Sequence, residues 1–152
     1  MRWMGKLSGT LLLVCLVAFG PPALAQGPLP RGTVSITTAT GETHAFTVEI
    51  AETAPARTRG LMFREWMAAD AGMLFIFERT QSVAFWMRNT LIPLDMVFIT
   101  EDLRVLNIGA RAIPHDETPV PSAGPVRYVL EINGGLAARL GITAGARVMI
   151  ER

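Results

Sequence analysis

The stretch that most narrows the fold is residues 85–95, Phe85-Trp86-Met87-Arg88-Asn89-Thr90-Leu91-Ile92-Pro93-Leu94-Asp95. Its first residues alternate with a strand's period of two, placing Phe85 and Met87 on one face and Trp86 and Arg88 on the other. A second apolar run, Leu94 to Thr100, begins directly after Pro93. Proline brings no N–H to a sheet ladder, so the break between the runs falls at the polar corner Asn89–Pro93. The pattern predicts Ser82–Arg88 and Leu94–Thr100 as antiparallel neighbours across that corner.

The same grammar of short apolar runs and turn residues extends in both directions. Thr33 to Thr38 alternates around Val34 and Ile36, and Thr43 to Ile50 around Phe46, Val48 and Ile50, with Thr40-Gly41 as the hairpin turn between them. Met73 to Phe77 is continuously apolar and short, the signature of a strand buried on both faces. Leu103 to Ile108 and Ala146 to Ile150 read as further strands, as does Arg127 to Ile132, where Val129 and Glu131 lie opposite Tyr128, Leu130 and Ile132. Thr53 is placed to cap a short helix from Ala54 to about Met62, with Pro55 tolerated in its first turn. Leu136 to Leu140 predicts a second short helix that Gly141 ends in the left-handed conformation. Ala110 to Pro125 holds Pro114, Pro119, Pro121 and Pro125 and is expected to form a long loop rather than a regular strand. With no internal repeat, the expected fold is mainly β (α+β): a compact antiparallel barrel-like or sandwich-like sheet with two short helices.

Residues 1–25 read as a secretory signal. Arg2 and Lys6 give the positive start, Leu11 to Phe19 the apolar core and Ala23-Leu24-Ala25 the cleavage pattern. The core is too short to span a bilayer and Pro21-Pro22 interrupts it, which argues against a retained anchor. Val14 before Cys15 departs from the small residue that lipid attachment prefers. The expectation is therefore an exported protein, periplasmic or secreted, with no membrane attachment after cleavage. Residues 26–32, with two glycines and two prolines, form a flexible lead-in to a single domain over residues 33–152.

Loss of Arg2 and Lys6 turns 14 Lys+Arg against 13 Asp+Glu into 12 against 13, so the mature chain is nearly neutral. That balance speaks against nucleic-acid binding, which needs a concentrated basic surface. Cys15, the only cysteine, leaves with the signal, so stability must come from a hydrophobic core. Only His44 and His115 remain as soft nitrogen ligands, and methionines spread through apolar strands serve packing, so no metal site is expected. No phosphate loop or dinucleotide fingerprint points to a cofactor, and the three mature serines lie in no nucleophile elbow.

Chemistry concentrates on charged residues within apolar surroundings. Asp95 and Glu131 each sit among strand apolars, where an unpaired carboxylate is costly. The predicted hairpin would bring Arg88 close to facing Asp95, with Asn89 and Thr90 donating at the corner. Arg57 and Arg64, seven residues apart around Gly60, lie nearly on one helical face and could hold an anion or pair with carboxylates such as Glu52 or Glu65. Trp86 offers a flat apolar surface that can stack a ligand or fill the core. Two readings fit these residues: a structural ion-pair network, and a ligand site.

At these motifs the chain resembles the domain of unknown function family 192, a widespread prokaryotic family often found behind export signals. The likeness runs from about Thr43 to Ile150. It rests on Arg57-x-x-Gly60-Leu61-Met62-x-Arg64, Gly72-Met73-Leu74-Phe75, the 85–95 stretch and Glu131-x-x-x-Gly135. The resemblance implies a compact β-rich domain with short helices and brings no established activity. The leading expectation is a soluble exported domain that binds a small polar or anionic ligand through Arg57, Arg64, Trp86, Arg88, Asn89, Asp95 and Glu131. The alternatives are a hydrolase-like enzyme with Asp95 or Glu131 as acid/base, and an envelope interaction module using the proline-rich loop.

Overall fold

Short alternating segments can bury their apolar sides only against one another, and in the computed structural model they do so in one curled sheet. The structure describes residues 27–152; the signal and its cleavage point lie outside the described residues. The sheet strands are β1 (Arg31–Thr37), β2 (Thr43–Ala51), β3 (Ala71–Gln81), β5 (Leu94–Ile99), β6 (Val105–Ala112), β8 (Val126–Asn133) and β9 (Arg147–Glu151). A separate two-stranded ladder pairs β4 (Ala84–Phe85) with β7 (Val120–Pro121). The helices are α1 (Ala54–Arg59) and α2 (Leu136–Arg139).

The order across the sheet is β6-β5-β8-β3-β2-β1-β9. Every neighbour pair is antiparallel except β2 and β3, which run parallel because α1 and the following loop carry the chain back across. The two edge strands meet at one end. Arg104 bridges Arg147, Val105 N donates to Ala146 O at 3.0 Å, and Val148 N donates to Leu103 O at 2.9 Å. The sheet is thus a half-barrel whose edges touch over a few residues.

Period-two alternation divides the apolar residues between two faces. Val34, Ile36, Phe46, Val48, Leu74, Val97, Ile99, Leu130 and Ile132 pack inside the curl, where Leu136 and Ala137 of α2 join them. The alternate residues of the central strands, Met73, Phe75, Met96, Phe98 and Val129, lie on the outer face under a cover made by α1, Leu61, Met67, Met87 and Ile92. This second layer explains why β5 is buried at all six positions, and it matches the two-faced burial read from Met73 to Phe77.

The predicted hairpin is corrected by this topology. Ser82–Arg88 does not pair with β5; only Ala84 and Phe85 are extended, and they pair with Val120 and Pro121 of the proline-rich loop. The neighbours of β5 are β6 and β8. The alternation in Phe85-Trp86-Met87 arises because an extended segment lies across the outer face, burying Met87 and partly burying Phe85 while Trp86 faces solvent. Such a segment shows a strand's period without a strand's ladder.

Candidate functional site

α1 begins where Thr53 Oγ1 accepts from Ala56 N at 3.3 Å, and it ends at Gly60 with φ +49°. A Cβ at Gly60 would stand 3.2 Å from the ring of Phe75, so the missing side chain admits that ring beneath the helix end. Opposite, residues 83–90 lay Phe85 edge-on against Phe75 at 4.9 Å between centroids, with Phe98 at 6.1 Å and Phe77 at 6.4 Å. Phe77 is available there because the β3–β8 register shifts after Ile76 and the chain bulges. Between α1 and this segment opens a cavity of about 470 Å³, lined by residues that include Arg57, Phe77, Phe85, Trp86, Thr90 and Glu131.

Glu131 reaches this cavity from β8. It pairs across the ladder with Met73 on one side and Met96 on the other, both fully buried on the outer face. Glu131 is itself 4% exposed. No described residue donates a hydrogen bond to its carboxyl or forms an ion pair with it, and burial alone pushes its pKa up to about 8. This carboxyl opens into a cavity lined by Phe75, Phe77, Phe85 and Trp86, and it is one of two buried acids among the described residues.

Asp95 takes the opposite solution. It pairs with Ile132 on β8, so it lies on the inner face, across the sheet from Glu131. Its Oδ1 accepts from Arg111 N and Gly135 N, and its Oδ2 from Ala137 N, all at 2.8 Å. A bulge in β6 opposite Leu94–Met96 puts Arg111 at φ +52° and turns its N–H inward, while Gly135 at φ +79° turns the chain into α2. Asp95 therefore ties β5, β6 and α2 together. It is sealed from solvent, and the expected Arg88–Asp95 pair is not formed. Sequence reasoning saw that a partner was needed and looked for a side chain, whereas the backbone supplies it.

The other singled-out residues separate. Arg57 lies at the cavity with its guanidinium engaged: Nη1 donates to the carbonyls of Glu52 and Ile76, Nη2 stands 3.9 Å from Glu78, and the group sits 5.4 Å over the Phe77 ring. Arg64 donates through one nitrogen to both Glu49 oxygens at 2.8 and 3.0 Å, outside this cavity. Arg88 is exposed and lies 5.7 Å over the half-exposed Trp86. Asn89 holds the corner at φ +55°; its carbonyl accepts from Phe63 N at 2.8 Å, and its amide approaches the sulfur of Met62, a cavity-lining residue. Arg57, Trp86 and Glu131 are thus brought together at one cavity, Asn89 braces its wall, and Arg64, Arg88 and Asp95 do not line it. Sequence reasoning missed Phe77, Phe85 and Thr90 as lining residues. The run Phe75-Ile76-Phe77 carried a signal only as core, since the bulge that exposes Phe77 leaves no local mark.

A half-barrel whose outer face is covered by a short helix and crossing loops, with a cavity beside that cover, is a small β-rich domain. The chain belongs to the DUF192 family, described as an uncharacterized ACR, whose model matches residues 35–150. Among solved structures it is similar to a candidate transcription regulator from Sinorhizobium meliloti, with 44% identity over 83% of this chain and 98% of that one, at a TM-score of 0.80. It is also similar to a protein of unknown function from Novosphingobium aromaticivorans, with 47% identity over 82% of this chain and 94% of that one, at a TM-score of 0.77. Comparison with curated proteins gives no match.

Proposed function

We propose that this chain is an exported domain that binds a small polar ligand in the cavity between α1 and residues 83–90. The observation that carries this reading is the Glu131 carboxyl, buried on the cavity floor with no described protein partner. Buried polar groups are normally satisfied by protein or water, and a carboxyl without a described protein partner at the edge of a hollow leaves its hydrogen-bonding positions to water or to a polar ligand that displaces it. Trp86 and Phe85 provide apolar contact for the body of such a ligand, and Arg57 shapes the wall. Export rests on the signal-like residues 1–25. The regulator description of the Sinorhizobium meliloti relative is not carried over, because helices of six and four residues offer no groove-reading element and the charge is close to balanced.

Thermal-shift screening of purified protein against metabolites and envelope glycans, repeated with Glu131→Gln and Trp86→Ala, tests the binding. The expected result is a stabilising hit that weakens at least tenfold in either variant while both remain folded. A hit insensitive to both would place binding elsewhere. A second reading, hydrolase-like chemistry with Glu131 as acid/base, draws on the same group, because a carboxyl titrating near 8 can exchange protons at neutral pH. Turnover of a hit, lost in Glu131→Gln while binding persists, distinguishes it. Amino-terminal mass analysis of protein from a cell-envelope fraction checks export, with a start at Gln26 expected.

A further inference from the structure

Of the two buried acids among the described residues, Asp95 is saturated by backbone N–H groups and Glu131 is not. We propose that the cavity takes a small organic cation, an ammonium-bearing molecule with a compact apolar or aromatic body, whose charged nitrogen meets the Glu131 carboxylate while its body lies against Phe85 and Trp86. This deepens the small-ligand reading above and rests on it.

The donor missing at Glu131 is what an ammonium supplies, together with the charge that compensates a desolvated carboxylate. The aromatic wall favours the same sign, since ring faces attract cations, and the protein already uses them so: Arg57 lies over Phe77 and Arg88 over Trp86. Two guanidiniums line the hollow, and neither is buried at its floor beside Glu131 as a ready partner for an anion. Arg57 is committed to two carbonyls and to Glu78, and Arg59 is exposed where water and salt screen it. The charged surroundings of Glu131 are few. α1 offers Arg57 and Arg59, β3 carries Glu78 beyond the bulge, β5 presents Met96 beside Glu131 and Asp95 on the other face, and of residues 83–90 only Arg88 is charged, turned over Trp86. None of these answers the acid.

Because burial holds Glu131 up to about 8, a bound cation displaces its proton at neutral pH. Affinity for a cation then rises with pH from 6 to 8, approaching tenfold per unit well below the pKa, and levels off above it. A neutral hydroxyl ligand that used the protonated acid would weaken over the same interval.

Isothermal titration calorimetry of the purified protein with benzylammonium, benzyl alcohol and benzoate, at pH 6, 7 and 8 and in buffers of different ionisation enthalpy, tests the assignment. Benzylammonium is expected to bind preferentially, to tighten severalfold or more per pH unit, and to release close to one proton at pH 7; Glu131→Gln should abolish both pH dependence and proton release. The wild-type profile stands without the variant. Preferential binding of benzyl alcohol or benzoate with loss in Glu131→Gln, or benzylammonium binding with no proton release, would overturn the cation assignment and leave the cavity reading standing. Failure of all three probes to bind would count against both.

Discussion

Asp95 and Glu131 begin from the same difficulty, a carboxyl among apolar strand residues, and one residue of sheet alternation sends them to opposite answers. Asp95 receives three short N–H contacts; replacing it with asparagine turns one acceptor into a donor that faces an N–H. Asp95→Asn should lower unfolding stability by about 2–4 kcal/mol in urea titration. Glu131 pays the cost of burial instead. Its folded pKa of about 8 lies above the ordinary 4.5, so the folded state binds more protons between those values and stability falls as pH rises across that window. The full effect is on the order of 5 kcal/mol. Melting temperature should decline from pH 5 to pH 8, and Glu131→Gln should flatten the decline. A wild-type curve that is level across this range in absent ligand would rule out the raised titration. The sequence made both acids conspicuous, yet it could not distinguish them, because what satisfies Asp95 is a bulge at Arg111 and a left-handed turn at Gly135.

Elements with their own ladder were legible: the alternation of β1, β2 and β8 and the apolar runs of β3 and β5 each gave positions close to those observed. The cap at Thr53 also followed from residue chemistry, whereas the helix expected to reach about Met62 ends at Arg59, capped by Gly60 at positive φ. The segment after Ser82 was not legible, because lying across a sheet and joining one impose the same period on the side chains. The site depends on that segment and on the end of α1. Gly60→Ala would force a side chain into a positive-φ backbone against the Phe75 ring. It should cost about 1–3 kcal/mol in denaturant titration and shift Phe75 toward the hollow, weakening any ligand that Glu131→Gln also weakens.

The half-barrel as a whole was foreseeable as a β-rich class, since its strands are too short and too apolar to stand alone. The parallel β2–β3 pair was not, since a six-residue helix in the crossover says little about which way the chain returns. The touching edges were likewise invisible, being contacts between Leu103–Val105 and Ala146–Val148 with no shared motif. Ending the chain at Gly145 removes β9 together with the buried Ala146 and Val148 and uncovers β1. That truncation should abolish cooperative urea unfolding; a sharp transition retained by the shortened chain would show that the seam is dispensable.

β1 is held between β2 and β9, so the opening strand of the domain has its second neighbour among the final residues. A nascent chain leaving the ribosome therefore carries a row of unanswered backbone groups on β1 until Arg147–Glu151 have been made. The β1–β9 ladder joins the most widely separated strands of the sheet, so its loop-closure cost is the highest and its closure is expected late in folding.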